Sequence, residues 1–269
     1  MASLLDDIKN ERKGQVGNAE GLIIEQKLNK LFYEKPDFKE EVRMLKLQAQ
    51  LKMQDRYGLH ASAILVSDKD FCYREHVLSL LYKQIQGENI GINLKRIFEE
   101  GNFIGEKWQR LFIRGGLGRP EDMDISQFRA DYELSFTPDA IVTINNHKYV
   151  VEVKSQNSFM FKKQAGHPKG MKQLQFYMEM TGIHRGFVLV EDKNTQEFKV
   201  LMAEYDAEDM EPYIYRLEMI QYHKKRLLKK GKMVGRICDS ATCKRALKCN
   251  MKDACYDIGI GRIKLEERD

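Results

Sequence analysis

Apolar residues recur every three or four positions in several stretches of this chain, and in other stretches they alternate with polar residues. The first spacing predicts amphipathic helices and the second predicts strands. In the earliest such helix, Ile24, Leu28, Leu31 and Phe32 share one face. The patterns predict helices over 22–32, 39–56, 70–84, 94–112, 171–181 and 207–230, and strand-like segments up to 154, over 186–191 and over 198–202. This order indicates an α/β (α+β) fold with a small mixed central sheet flanked by helices.

The organisation along the chain predicts an N-terminal helical region over 1–57 and a larger domain over 58–269. Scaffolding is the favoured role of the N-terminal region, and a helical lid or a DNA-gripping arm is the alternative. Composition is ordinary for a globular protein, with 42% hydrophobic and 32% charged residues, and a formal net charge of +5 permits a nucleic-acid partner without requiring one. No apolar run reaches the roughly 18 to 20 residues of a membrane span. The N-terminus lacks a secretory pattern. We therefore expect a cytoplasmic protein that does not bind membranes.

The strands before and after Asn145-Asn146 predict a tight hairpin, since this dipeptide suits a two-residue turn. Asp139 comes just before the first strand, and the alternation of side chains puts Glu152 and Lys154 on one face of the second. The other, apolar face is predicted to pack inward. A carboxylate beside an ammonium is costly in a core unless the groups act together or bind a metal. Two carboxylates suit Mg²⁺ or Mn²⁺; a structural cross-strand ion pair is the alternative.

The predicted helix after the lysine-bearing strand carries Gln173 and Tyr177, which are four residues apart and share a face. Taken in order, these features resemble the PD-(D/E)XK nuclease superfamily in its RecB-like branch. The resemblance implies a restriction-endonuclease-like core and a metal-dependent hydrolysis of phosphodiester bonds. The residues it implies are the metal ligands Asp139, Glu152 and the Val153 backbone carbonyl, the catalytic Lys154, and the supporting Gln173 and Tyr177.

One position departs from that branch, which usually has a metal-binding histidine on an upstream helix. Gly105 stands where the histidine would be. Glu106 or a water is the expected substitute, and reduced activity or an altered metal preference is an expected consequence. The departure also keeps open an alternative function, a non-catalytic DNA-binding or assembly module that retains the fold.

Five cysteines are unevenly distributed, with Cys72 far upstream and four near the C-terminus. In a reducing compartment, clustered cysteines more often bind metal than form disulfides. The layout resembles nucleases of the same branch, including the CRISPR-associated adaptation nucleases, in which a 4Fe–4S cluster joins the two ends of the domain. The ligands this implies are Cys72, Cys238, Cys249 and Cys255, with Cys243 as the alternative to Cys238 and with about 236–260 as the iron–sulfur segment. Zinc on the four C-terminal cysteines is the competing interpretation.

Three lysines after the predicted catalytic strand, Lys162, Lys163 and Lys169, are placed to touch DNA, and His167 lies among them. The basic helix end over 224–232 is either a phosphate-binding surface or a solvated face. We expect an exonuclease-like deoxyribonuclease acting on single-stranded DNA or duplex ends in phage or bacterial recombination, replication or repair. Recombination or replication proteins are its expected partners. A redox-sensing protein is a third class, for which DNA binding would change with cluster oxidation.

Overall fold

The computed structural model describes residues 18–33, 35, 37–52, 58–82, 92–164 and 166–256. Three of the predictions fall partly or wholly outside these ranges. They concern the N-terminal residues that bear on secretion, the ends of the helices predicted over 39–56 and 70–84, and positions 257–260 of the cysteine segment. The helices are α1 (Asn18–Leu31), α2 (Phe38–Lys52), α3 (Ala61–Ile64), α4 (Tyr73–Leu81), α5 (Ile92–Arg114), α6 (Ser158–Lys163), α7 (Pro168–Thr181), α8 (Ala207–Lys230) and α9 (Lys252–Tyr256). The strands are β1 (Leu59–His60), β2 (Gln127–Arg129), β3 (Leu134–Phe136), β4 (Ala140–Ile144), β5 (His147–Gln156), β6 (Arg185–Asp192) and β7 (Phe198–Glu204). None of the described helices is long and apolar enough to cross a membrane.

Two small sheets with helices around them confirm the predicted fold class. In the larger sheet the strand order is β4-β5-β6-β7, and β5 runs parallel to β6 but antiparallel to β4. The smaller sheet has the order β1-β3-β2 and was not predicted as a separate sheet. The larger sheet is therefore mixed, and the smaller sheet contains the parallel pair β1–β3. Parallel pairs are typical of sheets that are covered by helices.

The predicted hairpin is confirmed. Ile144 pairs with His147, so the loop between β4 and β5 has two residues. Asn145 and Asn146 have φ values of +51° and +65°, which a type I′ turn needs and which asparagine tolerates better than most residues. The turn fixes the register that places Ala140 opposite Val151.

Strand β5 is buried on both faces, which differs from the single inward face that alternation predicts. Val150 and Val151 are both fully buried although they point to opposite sides, and Glu152 is 1% exposed. Helices α5 and α7 both pack against β5, which is central in its sheet. Glu152 therefore lies inside the protein, while the Lys154 side chain stays partly exposed.

The segment between the predicted strand that ends at 154 and the predicted helix that begins at 171 contains α6. Asn157 caps this helix by accepting a hydrogen bond from the Met160 backbone N–H at 2.9 Å. Helix α7 starts at Pro168, three residues earlier than predicted. It ends at Thr181, and the C-cap Gly182 has the left-handed conformation that favours glycine. Helix α8 has the predicted bounds.

Contacts divide the chain into two compact units. The first contains the described parts of 1–55, 90–127 and 136–210, including the larger sheet; the second contains those of 56–89, 128–135 and 211–269. In the first unit Ile24, Leu28 and Leu31 are buried in the core as predicted, while Phe32 is half exposed and contacts the edge of Trp108. The predicted domain boundary at residue 57 stays a prediction.

Candidate active site

Glu152 is a buried carboxylate in the middle of β5. Apart from the ion pair of Oε1 with the Lys154 ammonium, neither carboxylate oxygen has a hydrogen-bond partner among the residues that the structure describes. The Lys154 ammonium forms an ion pair with Glu152 Oε1 on the same face of the strand. A buried carboxylate with unfilled acceptor sites is costly, because such oxygens are normally satisfied by donors or by a metal ion. Glu152 therefore has room for a further electropositive partner.

The β4–β5 hairpin places Asp139 beside this pair. It follows Pro138, precedes β4 directly, and its Oδ2 accepts a hydrogen bond from the Val153 backbone N–H at 2.6 Å. Because Val153 lies between Glu152 and Lys154, this bond ties the Asp139 carboxylate to β5. The structure thus brings together the two carboxylates and the lysine that the sequence singled out.

The pKa values in this group are strongly shifted. Burial, and secondly the Asp139 charge, raise the pKa of Glu152 to about 8. Burial also raises the pKa of Asp139 to about 6, against the opposing charge of Lys154. Burial alone would lower the pKa of Lys154, but the charges of Glu152 and Asp139 outweigh it and raise that pKa. Clustering of such shifts is typical of functional sites.

Gln173 and Tyr177 extend the group from α7. Lys154 Nζ donates to Gln173 Oε1 at 3.2 Å, and Gln173 Nε2 donates to the Tyr177 hydroxyl at 2.8 Å. Burial and the nearby Glu152 charge raise the pKa of Tyr177 above its ordinary range, so the phenol stays protonated. A chain of polar contacts therefore runs from Glu152 through Lys154 to α7.

The start of α7 is fitted closely against Lys154. His167 is the N-cap of the helix, and its Nδ1 accepts a hydrogen bond from the Gly170 backbone N–H at 2.9 Å. A Cβ on Gly170 would lie 3.2 Å from Lys154 Cγ and 2.7 Å from His167 Nδ1, so a larger residue would push on both. Burial and the Lys154 charge lower the pKa of His167, which keeps this ring neutral as the cap requires.

Four further polar residues near the carboxylates were missed by sequence reasoning. The Asp124 backbone N–H donates to the Asp139 carbonyl at 3.1 Å, and its carboxylate pairs with Lys52 at 2.7 Å. Lys52 and Gln48 both donate to the buried Gln109 Oε1. No local signal identifies these residues, because their contacts join helices and loops far apart in the chain.

Gly105 lies one helical turn before Gln109. A Cβ on Gly105 would be 4.0 Å from Gln109 Nε2, so the amide of Gln109 borders the place of the expected histidine. Gln109 Oε1 already accepts two hydrogen bonds and is not a ready metal ligand. The Glu106 side chain is exposed, and the substitute role predicted for it stays a prediction. Within the described ranges, no group of three or more His, Cys, Asp or Glu side chains is close enough to hold a metal ion.

The predicted DNA-contacting lysines, Lys162, Lys163 and Lys169, are all exposed. The first two end α6 and the third lies in the first turn of α7. In the second unit, Lys224 of the basic helix end is paired with Glu133 at 2.6 Å, so its charge is partly used within the protein.

The second unit contains a cavity lined by cysteines. Its lining includes the four thiols Cys72, Cys238, Cys249 and Cys255. Among the described residues that line the cavity, Cys243 is absent. Its Sγ instead accepts a hydrogen bond from the Ala246 backbone N–H at 3.4 Å. Burial, and secondly the Glu75 charge, raise the pKa of Cys249 to about 12.

Arginines fasten the C-terminal segment around this cavity. Arg74, two residues after Cys72, donates to Cys255 Sγ at 3.2 Å and to the Val234 carbonyl at 3.0 Å. Arg245 donates to the carbonyls of Lys69 and Asp70. The upstream and the C-terminal cysteines are therefore held in one part of the second unit, as the sequence layout predicts.

The raised pKa of Glu152 predicts an unusual pH dependence of stability in the metal-free protein. Its folded pKa of about 8 exceeds the ordinary 4.5, so the folded state binds more protons between these values and the free energy of unfolding falls as pH rises through them. Glu152→Gln cannot ionise. We expect this variant to be about 3 kcal/mol more stable than the wild type near pH 8 and about equally stable near pH 5.

Urea denaturation at both pH values, after removal of divalent metal, measures this difference. The exposed Glu204→Gln is the matched control and should change the free energy of unfolding by no more than about 0.5 kcal/mol. A Glu152→Gln protein that is less stable than the wild type near pH 8 would show that the ion pair with Lys154 is structural.

Comparison with known proteins gives distant structural likenesses. No family model matches the sequence, and no curated protein matches it. The structure is similar to the alkaline exonuclease LHK-Exo from Laribacter hongkongensis, with a TM-score of 0.43, 16% identity, and coverage of 65% of this chain and 93% of that one. The same exonuclease in complex with dAMP gives a TM-score of 0.46, 17% identity, and coverage of 68% and 95%. SSO0001 gives a TM-score of 0.38, 12% identity, and coverage of 88% and 98%.

Proposed function

We propose that this chain is a divalent-metal-dependent deoxyribonuclease that hydrolyses phosphodiester bonds of DNA. The observation that carries the proposal is the state of Glu152, a buried carboxylate that pairs with Lys154 through Oε1 and has the charge of Asp139 nearby. Its Oε2 has no hydrogen-bond donor among the described residues. An unfilled acceptor near a second carboxylate suits a cation.

The residues present fit Mg²⁺ or Mn²⁺. Mg²⁺ usually binds through one or two carboxylates and keeps several waters, and the pair Asp139 and Glu152 supplies that number. Asp139 and Glu152 would hold the ion, with the Val153 carbonyl as a third protein ligand. When bound, such an ion lowers the pKa of a coordinated water and neutralises charge on the phosphate.

The protein's own groups supply positioning and charge. Lys154 stays protonated, so its ammonium can stabilise the negative charge that develops on a phosphate in the transition state. Gln173 accepts a hydrogen bond from Lys154, and Tyr177 accepts one from Gln173, so both hold the ammonium in place. The exposed Lys162, Lys163 and Lys169 would neutralise backbone phosphates without reading base sequence.

We propose that the cysteine-lined cavity holds a 4Fe–4S cluster on Cys72, Cys238, Cys249 and Cys255. The presence of Cys72 in the lining supports this set over zinc on the four C-terminal cysteines, which would need Cys243 and not Cys72. Four thiolates are the usual ligands of such a cluster. The cluster would join the segment before α4 to the C-terminal segment.

A non-catalytic DNA-binding or assembly module is the second candidate. Gly105 favours it, because the helix that would supply a further metal ligand has no side chain at that position. Exonuclease-like action in phage or bacterial recombination, replication or repair stays a prediction from the resemblance.

Incubating labelled single-stranded and duplex DNA with the wild-type protein and Mg²⁺ or Mn²⁺ separates the two candidates. The nuclease proposal expects cleavage that stops when a chelator removes the metal. DNA binding without any cleavage would establish the non-catalytic module instead.

A further inference from the structure

Helix α6 lies at the rim of the candidate active site because both of its ends are tied to the surroundings of Lys154. It begins at Ser158, four residues after Lys154, and ends at Lys163, four residues before His167. Gly170 lies between His167 and Lys154, since a Cβ built on it would be 2.7 Å from His167 Nδ1 and 3.2 Å from Lys154 Cγ. Four residues span at most about 14 Å, so α6 cannot lie far from Lys154.

Polar contacts hold α6 in a fixed position on the sheet. Ser158 Oγ donates to Asp192 Oδ1 at 3.0 Å, next to the Asn157 cap. At the other end, Lys199 Nζ donates to the Phe161 carbonyl at 3.0 Å and to the Gln164 carbonyl at 2.6 Å, which satisfies free carbonyls of the short helix. The outward direction of the remaining side chains of α6 is therefore built into the fold.

Phe159 is the aromatic residue that this arrangement turns outward. It is 67% exposed, whereas Phe161 on the same helix packs under Lys199, whose Nζ is 4.7 Å from its ring centroid. Lys163 Nζ lies 5.3 Å from the Phe159 ring centroid and covers part of the ring. The rest of the ring faces solvent, and the exposed Lys162 lies three residues further along the helix.

An exposed aromatic ring among lysines matches one class of ligand. Proteins bind single-stranded nucleic acid by stacking bases on aromatic rings while cations neutralise the backbone phosphates. Every base has a flat aromatic face, so such a platform tolerates any sequence. A duplex keeps its bases stacked on each other and offers no free face except at an end.

We propose that Phe159 is a stacking platform for an unpaired base of the DNA strand that enters the active site, with Lys163 contacting the adjacent phosphate. The inference rests on the proposed nuclease function and narrows its substrate class to DNA with unpaired bases at the site. Phe159 binds substrate and takes no part in the chemical step.

The test compares DNA binding by variants made in a Glu152→Gln background, which prevents cleavage during the measurement. Fluorescence anisotropy is recorded with a labelled oligothymidylate of about 12 nucleotides, a length within the range of one single-strand binding site. A second oligonucleotide of the same length carries abasic sites throughout. Phe159→Ala should weaken binding to the oligothymidylate by about 5- to 100-fold and leave binding to the abasic strand unchanged.

Phe159→Trp keeps an aromatic ring and should retain the parent affinity. Phe103→Ala, on α5 in the same unit, removes another exposed ring (61% exposed) and should have no effect. Equal binding of the Phe159→Ala and parent proteins to the oligothymidylate would overturn the proposal. An equal loss of affinity for the oligothymidylate and the abasic strand would also overturn it, since this would indicate a general change of the surface. A parent protein that does not bind the oligothymidylate would overturn it as well.

Cleavage by the protein with Glu152 intact is measured in parallel. Phe159-dependent binding without cleavage would reject the nuclease function and retain the platform. Cleavage together with Phe159-independent binding would retain the nuclease and reject the platform.

Discussion

Replacing Lys154 with methionine should lower the rate of DNA cleavage by about 1,000-fold, because the group that stabilises charge on the phosphate is lost. The fold should survive. Methionine has a similar length and no charge, and it can occupy the same space between Glu152 and α7. Without the ammonium, Glu152 loses the charge that opposes its raised pKa, so it stays protonated more readily and is buried as a neutral group.

Lys193→Met is the matched control for this substitution. Lys193 forms a surface ion pair with Glu100 at 3.6 Å in the same unit. Surface pairs contribute little, so cleavage by this variant should stay within about twofold of the wild type. Rates from end-labelled DNA, with circular dichroism to verify the fold, give the comparison. An active Lys154→Met protein would mean that the Glu152–Lys154 pair is only a structural contact.

Replacing Cys72 with serine should remove the iron–sulfur cluster, whereas Cys243→Ser should leave it in place. The physical reason is the position of the two thiols, since Cys72 lines the cavity with three C-terminal cysteines and Cys243 accepts a backbone hydrogen bond outside that lining. A cluster joining Cys72 to Cys249 closes a loop of well over 100 residues. By analogy with a covalent cross-link, its loss should reduce the free energy of unfolding by about 4 kcal/mol.

Iron and acid-labile sulfide analysis of anaerobically purified protein provides the measurement, together with urea denaturation. The wild type and Cys243→Ser should contain about four iron atoms per chain, the content of one 4Fe–4S cluster. Zinc in place of iron, retained by Cys72→Ser and lost by Cys243→Ser, would establish the C-terminal zinc site instead.

The hairpin and the group around it could be predicted because their signals are local. Asn145-Asn146 determines the turn, the turn determines the register, and the register places Asp139 beside Val153. The four-residue spacing of Gln173 and Tyr177 likewise places both on the face of α7 that contacts Lys154. What these residues do stays a prediction, because geometry alone does not reveal an activity.

The surroundings of the site could not be predicted, since they depend on contacts between distant segments. Helix α6 has six residues, too few for a recognisable helical period, and it is completed by Lys199 from β7. Asp124 and Lys52 meet only after α2 and the loop before β2 have packed. The burial of both faces of β5 follows from helices on either side of the sheet, which an alternating pattern within one strand does not reveal.

The most direct test of the proposed nuclease centre is the rate of nucleotide release from end-labelled DNA. This rate is measured against Mn²⁺ concentration for the wild type and for Glu152→Gln side by side. If Glu152 and Asp139 form a metal-dependent nuclease centre, release by the wild type rises with Mn²⁺ and saturates, and Glu152→Gln releases nothing measurable at any concentration. Equal rates from the two proteins, or no release by a wild type that binds the DNA, would contradict it.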